Sequence, residues 1–112
     1  MAEAARLICA SAELADGGKG VRFEIQTASG MQAAFAVRYG GKVFGFLNRC
    51  AHIGIELDWQ PGEFFDESGL YLVCTTHGAT YQPESGQCIA GPCRGAKLIR
   101  LDISEQDGGV YH

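Results

Sequence analysis

Two short motifs, each joining a cysteine to a histidine, constrain this chain more than any other feature of its sequence. They are Cys50-Ala51-His52 and Cys74-Thr75-Thr76-His77, and 21 residues lie between His52 and Cys74. Each motif places a thiolate and an imidazole close enough to approach one metal centre from a single loop. A spacer of this length lets the chain leave the site along one strand and return along another. The two motifs therefore predict one centre with two sulfur and two nitrogen ligands.

The surrounding sequence is typical of an all-β domain with tight turns. Val21, Phe23 and Ile25 alternate with polar residues, which is the period of a half-buried strand. A second strand ending at Tyr39 and a third over 43–47 flank Gly40-Gly41, which predicts a hairpin. Further short strands are predicted around Cys9 and over 70–73, 99–103 and 110–111. No stretch predicts a long amphipathic helix, and sixteen glycines suit many turns.

Length and composition place limits on the class of protein. With 112 residues, the chain is about the size of one small domain, and we expect residues 1–112 to form a single one. No apolar run approaches the roughly 20 residues of a membrane helix, and Glu3 and Glu13 argue against a signal peptide. We therefore expect a cytoplasmic protein without a membrane partner. Five cysteines, an odd number, argue for metal or redox chemistry over a disulfide framework.

The net charge of −4 is unevenly distributed. Between Cys50 and Cys93 there are six acidic residues and no Lys or Arg, while the rest of the chain has nine basic and seven acidic residues. A segment of charge −6 excludes nucleic acid as a partner at the predicted centre. An acidic field can instead steer a basic protein partner, or these residues can simply keep a loop solvated.

The two motifs and the residues around them resemble the Rieske ferredoxin family. The similarity covers roughly residues 35–103 and includes the order of the ligands and the flanking glycines. The segments that carry it are Asn48 to Gly54, Cys74 to Tyr81, Pro83 to Gly86, Gly91-Pro92 and Gly95 to Leu101.

The resemblance implies an antiparallel β sandwich or barrel in which a segment of about residues 48–95 forms a cluster-binding subdomain with two loops. It implies one [2Fe–2S] cluster, with Cys50 and Cys74 on the inner iron and His52 and His77 on the outer one. Gly78, Tyr81 and Pro92 are expected around the cluster, with Gly91-Pro92 in the loop that covers it and Tyr81 donating a hydrogen bond to a ligand sulfur.

Two histidines in place of two cysteines raise the reduction potential of such a cluster. The oxidised core with two thiolates is neutral, so that adding an electron is easier than with four thiolates. This chain departs from the pattern at Ala79, where the family has a hydroxyl donor, and at Ile55 and Thr76, where high-potential members have cysteines. We therefore expect a potential in the lower part of the range of about −150 to +300 mV.

Three alternatives follow from the sequence. A zinc ion could occupy the same Cys2His2 set and stabilise the fold without redox chemistry. Cys88 and Cys93, which flank the predicted proline loop, could form a labile disulfide or remain inert thiols. The aromatic residues in Leu57–Gly69 could dock a partner, although we favour packing against the scaffold. Those aromatic residues are Trp59, Phe64 and Phe65.

The function implied by the resemblance is one-electron transfer from a flavin-dependent reductase to a terminal oxidoreductase or oxygenase. A mononuclear iron site would need two histidines and a carboxylate, but only His112 remains outside the predicted ligands. We therefore expect no bond-making chemistry from the chain alone. The alternative is a regulatory or accessory subunit that senses redox state, for which Cys88 and Cys93 are the supporting features. The sequence names neither the donor nor the acceptor and does not determine the oligomeric state.

Overall fold

The computed structural model describes residues 6–50, 56–58, 60, 62–74, 78–91 and 95–112. These residues form three antiparallel sheets, and their only helix is a 3-10 turn at Ser11–Glu13. The strands are β1 (Leu7–Ala10), β2 (Val21–Thr27), β3 (Gly30–Tyr39), β4 (Lys42–Leu47), β5 (Leu72–Cys74), β6 (Ala79–Tyr81), β7 (Cys88–Ala90), β8 (Arg100–Leu101), β9 (Ser104–Gln106) and β10 (Gly109–Tyr111). The expected all-β architecture is confirmed. No helix in the described ranges is long and apolar enough to cross a membrane.

The central sheet has the order β2-β3-β4-β8, and its two middle strands β3 and β4 are buried on both faces. Along β3, Phe35 and Val37 join the larger core cluster, while Ala36 between them joins a second cluster on the opposite face. The same alternation continues on β4, where Phe46 belongs to the larger cluster. Because both faces are covered, this part of the sequence is a nearly continuous apolar run.

The sheet β1-β10-β9 covers one face of the central sheet. Cys9 and Val110 pack there against Ala36, and burial raises the pKa of the Cys9 thiol. Arg38 connects this sheet to β3, because its guanidinium contacts the Glu105 carboxylate at 2.5 and 3.0 Å and its Nε donates to the Leu14 carbonyl at 2.8 Å. Arg38 holds the pKa of Glu105 at about 2.

The sheet β5-β6-β7 packs against the other face and carries the second cysteine motif. The larger core cluster joins Phe35 and Phe46 of the central sheet to Leu72, Cys74 and Tyr81. Cys50, which follows β4, belongs to the same cluster. Both cysteine motifs therefore begin at one apolar layer between two sheets.

The observed strands agree with most of the predicted ones and differ at two places. The Gly40-Gly41 hairpin and the strand around Cys9 are confirmed, and Asp107-Gly108 with positive φ joins β9 to β10. The predicted strand 70–73 begins only at Leu72, and Leu70 is exposed. The predicted strand 99–103 is reduced to Arg100–Leu101, which pair with Phe46 and Gly45 of β4, and the Ile99 carbonyl accepts a hydrogen bond from the Leu47 N–H at 2.9 Å.

Candidate metal centre

The first cysteine motif follows directly on the end of β4. The Asn48 N–H donates to the Ala33 carbonyl of β3 at 2.9 Å, and the Arg49 N–H donates to the Leu47 carbonyl at 2.9 Å. Both bonds hold the backbone in place just before Cys50, whose side chain is 1% exposed. The chain thus enters the motif from a rigid, doubly buried strand.

A polar side-chain pair joins the two ends of this first loop. Asn48 Oδ1 accepts a hydrogen bond from the Leu57 N–H at 2.9 Å, and Asn48 Nδ2 donates to Asp58 Oδ1 at 2.8 Å. The second Asp58 oxygen accepts from the Gly62 N–H at 2.9 Å. Asn48 and Asp58 are both buried, so each needs these partners to offset its lost hydration.

The second cysteine motif lies in a hairpin between β5 and β6. Cys74 pairs with Ala79 across the two strands, and the Gly78 N–H donates to the Cys74 carbonyl at 2.8 Å. Gly78 has φ +74°, a left-handed conformation that glycine adopts without steric cost. Backbone hydrogen bonds therefore join the described residues on the two sides of 75–77.

Tyr81 connects the two motifs. It lies on β6, is fully buried and pairs with Leu72 on one side and Cys88 on the other. Its hydroxyl lies 3.3 Å from Cys50 Sγ, within hydrogen-bond distance for sulfur. When the sulfur is a thiolate, the hydroxyl must be the donor. The geometry thus agrees with the expected hydrogen bond from Tyr81 to a ligand sulfur.

Gly91 brings the segment after β7 close to the second motif. It has φ +90°, and a Cβ placed on it would lie 2.9 Å from both Ala79 Cα and the Gly78 carbonyl oxygen. Only glycine permits this approach, because a side chain would overlap backbone atoms that have no room to move. The start of the predicted proline loop is therefore packed directly against the second cysteine loop.

The acidic residues between the motifs serve several structural roles. Arg22 contacts Glu56 at 2.8 Å and Asp58 at 3.4 Å, and Lys19 lies 4.0 Å from Glu63. These two basic side chains from β2 and the segment before it therefore offset part of the charge of −6 between Cys50 and Cys93.

The aromatic side chains of 57–69 that the structure describes pack against the scaffold, as favoured above. Phe64 is fully buried and stacks on Phe35 with ring centroids 4.0 Å apart. Phe65 is partly buried and lies beside Tyr39 with centroids 6.3 Å apart. The Val73 N–H donates to the Phe64 carbonyl, so this segment also pairs with β5.

Several residues predicted for the site lie outside the described residues. These are His52, His77, Pro92, Cys93 and Trp59. Cys88 is buried beside Tyr81 and is disulfide-bonded, but the predicted pairing with Cys93 stays a prediction. Sequence reasoning missed Asn48 and Asp58 as partners, since a separation of ten residues carries no periodic signal and Asp58 counted only as one more acid.

Comparison with known proteins identifies the class to which this arrangement belongs. The family described as the Rieske [2Fe-2S] domain matches residues 5–103. The chain belongs to this family, whose members bind one [2Fe–2S] cluster, and the zinc alternative is set aside.

Solved structures agree on the fold. A ferredoxin of Sphingomonas yanoikuyae B1 is 23% identical, with 96% of each chain covered and a TM-score of 0.73. The ferredoxin of carbazole 1,9a-dioxygenase from Nocardioides aromaticivorans IC177 is 18% identical, with 97% of this chain and 96% of that chain covered and a TM-score of 0.72. A complex of reduced oxygenase and oxidized ferredoxin in carbazole 1,9a-dioxygenase contains a chain 19% identical, with coverage of 96% and 90% and a TM-score of 0.72. A search of curated protein sequences finds no match.

The described residues fit a cluster of this kind. Cys50 and Cys74 bring two sulfur atoms into one apolar core cluster, and Tyr81 offers a hydroxyl to one of them. A bound thiolate accepts hydrogen bonds, and such donors orient the ligands and adjust the potential of the centre. The buried residues of this core cluster limit the access of water to the Cys50 and Cys74 sulfur atoms.

Proposed function

We propose that the protein is a one-electron carrier that takes electrons from a flavin-dependent reductase and delivers them to a terminal oxygenase. The observation that carries the proposal is the position of Cys50 and Cys74 in one buried core cluster, with the Tyr81 hydroxyl 3.3 Å from Cys50 Sγ. Family membership supports the cofactor, and the likeness to two ferredoxins over nearly their whole length supports the carrier role.

We further propose Cys50, His52, Cys74 and His77 as the four ligands, with Gly78, Tyr81 and Pro92 around them. The order of the motifs supports this set, as do the burial of both cysteines and the closure of the second loop by Gly78. In this proposal residues 1–112 form one domain in which about residues 48–95 carry the cluster. A cytoplasmic location rests on the sequence alone.

In the proposed function the chain's own residues position the site and tune it. A bound cluster would accept and release one electron reversibly. The buried strands before Cys50 and Cys74 limit movement between the two oxidation states, which keeps reorganisation small. The Tyr81 hydroxyl stabilises the more negative state by donating to the sulfur.

A rapid-mixing experiment tests the carrier role. The protein is reduced anaerobically and mixed with oxidised oxygenases, each encoded beside a candidate reductase in the source genome. We expect the visible absorption of the oxidised protein to return at a rate that saturates with the concentration of one oxygenase. This rate should also fall as salt rises, because the charge of −6 between Cys50 and Cys93 favours electrostatic steering. Re-oxidation no faster than with dioxygen alone, for every oxygenase, would reject the proposal.

Cys88 supports the alternative of a redox-sensing subunit. It is disulfide-bonded and lies across from Tyr81 in the β6–β7 pair. A sensor would change its affinity for a partner when this disulfide is reduced, and the Cys88→Ser variant would lose that response. Partner binding that is unchanged by reduction would leave the carrier as the sole function.

A further inference from the structure

A buried polar pair lies beneath the first cysteine loop and is not part of the proposed ligand set. Asn48 is 3% exposed and Asp58 is 4% exposed, and no other amide or charged side chain is as deeply buried in the part of the chain that the structure describes. A buried carboxylate is costly unless several donors satisfy it. Its partner Asn48 lies two residues before Cys50, so the buried carboxylate calls for a role that apolar packing would not perform.

The hydrogen bonds of the pair close the loop at its base. Asn48 precedes the motif and joins, through both atoms of its amide, the Leu57 N–H at 2.9 Å and Asp58 Oδ1 at 2.8 Å. Residues 49–56, which include Cys50 and His52, thus run between two points that a single side chain fixes together. No strand pairing joins Asn48 to Leu57 or Asp58, so the amide supplies what backbone pairing supplies elsewhere.

Asp58 is itself oriented by the segment that follows it. Its second oxygen accepts from the Gly62 N–H at 2.9 Å and lies 3.4 Å from Arg22 Nε. Arg22 is on β2, so the carboxylate also joins the loop to the central sheet. Gly62 and Arg22 thus hold one carboxylate oxygen, and the other oxygen faces the amide of Asn48.

We propose that Asn48 and Asp58 are the positioning residues of the first ligand loop, and that their hydrogen bonds hold Cys50 where it binds the cluster. The inference rests on the proposed assignment of Cys50 as a ligand. It extends that assignment to two residues outside the proposed ligand set, which act through the loop they close.

Exchanging the two side chains tests the proposal. Asn48→Asp places two carboxylates against each other, and Asp58→Asn places an amide N–H against another donor. In the double variant Asn48→Asp/Asp58→Asn, the new carboxylate accepts from Leu57 and from the new amide, whose oxygen accepts from Gly62. The exchange therefore restores all three hydrogen bonds with the charge moved to the other residue. Glu67→Gln, at an exposed position of the same segment, removes one charge as the matched control.

The readouts are the rate of cluster loss in the presence of an iron chelator and the electron-spin spectrum of the reduced protein. We expect each single variant to lose the cluster about 10- to 100-fold faster, as for other residues that orient metal ligands, with altered g-values in the folded fraction. The double variant should return to within about threefold of the parent, and Glu67→Gln should match it. Should Asn48→Asp fail to fold, Asn48→Ala replaces it, with the same expected acceleration.

Two results would overturn the proposal. One is a pair of single variants that are less stable but keep the parent's spectrum and rate of cluster loss, which would indicate a purely structural role. The other is a double variant no better than either single one. Failure of the ligand assignment would appear elsewhere, as a Cys50→Ser variant that is folded and retains the full cluster.

Discussion

The two cysteine loops are closed in different ways. In the second loop, β5 and β6 pair directly, and the Gly78 N–H bonds to the Cys74 carbonyl, so backbone hydrogen bonds join its two ends. In the first loop, the chain leaves β4 and is joined again by the side chains of Asn48 and Asp58. Closure by backbone tolerates most changes of side chain, whereas closure by a buried pair depends on two particular residues. The first loop is therefore the more vulnerable of the two.

The largest effect should be the same in both loops. Cys50→Ser and Cys74→Ser each remove a proposed ligand, and we expect both to lose the cluster completely, whatever closes the loop. Iron and acid-labile sulfide per chain measure this, with Cys9→Ser as the control because Cys9 is also buried but belongs to another core cluster. Full iron content in either variant would remove that cysteine from the proposed set.

A second prediction tests the backbone closure through its glycines. Gly91→Ala should cost about 3 kcal/mol in free energy of unfolding, because it adds a clash at 2.9 Å with the second loop to the strain of a left-handed residue. Gly78→Ala should cost only about 1 kcal/mol, since no described residue lies within 4 Å of its added Cβ. Chemical denaturation compares the two. Equal losses would mean that the close approach of Gly91 to the second loop carries no cost.

These two loops also show how far the sequence could be read. Gly78 and the hairpin after the second motif were expected from the family resemblance, and the Gly40-Gly41 hairpin from its own sequence, because a hairpin is a local structure with local signals. The alternation on β2 likewise predicted a strand. The base of the first loop was not predictable, because Asn48 and Asp58 meet only when the chain has folded around them. The same holds for Arg38 and Glu105, which are 67 residues apart.

Sheet contacts explain the remaining errors. The strand predicted over 99–103 has good alternation, but a strand needs a paired neighbour, and its ladder with β4 covers Arg100 and Leu101, with one further bond from the Leu47 N–H to the Ile99 carbonyl. The doubly buried strands β3 and β4 carry apolar residues on both faces because a third sheet covers the second face. The alternation of apolar residues in one sequence does not show how many sheets are stacked on one another.

A third prediction concerns the hydroxyl that connects the loops. Tyr81→Phe should lower the midpoint potential by on the order of 40 mV, since a hydrogen bond worth about 1 kcal/mol more in the reduced state is lost. Cyclic voltammetry measures the shift, and Tyr39→Phe, a partly buried tyrosine in the same core layer, is the control. An unchanged potential in Tyr81→Phe would mean that the hydroxyl does not donate to the Cys50 sulfur.

The smallest effect should come from the ion pair between Arg38 on β3 and Glu105 on β9, which involves neither cysteine loop. Glu105→Gln removes the carboxylate that Arg38 binds at 2.5 Å, and we expect a loss of about 1 kcal/mol at pH 7 because both groups are partly exposed. Arg38 lowers the pKa of Glu105 to about 2, so this contribution is fully present above the unfolded pKa of about 4.3. It is lost as the pH falls from there through the folded value.

Thermal unfolding of parent and variant should therefore differ at pH 7 and converge as the pH approaches about 2. The electron-spin spectrum at pH 7 should be identical in the two proteins, because this ion pair joins β3 to β9 and not to either ligand loop. A changed spectrum would show that strain in the scaffold reaches the site. In that case the sensitivity of the first loop would not be due to its closure by Asn48 and Asp58. A change elsewhere in the scaffold would alter the spectrum in the same way as a change in that pair.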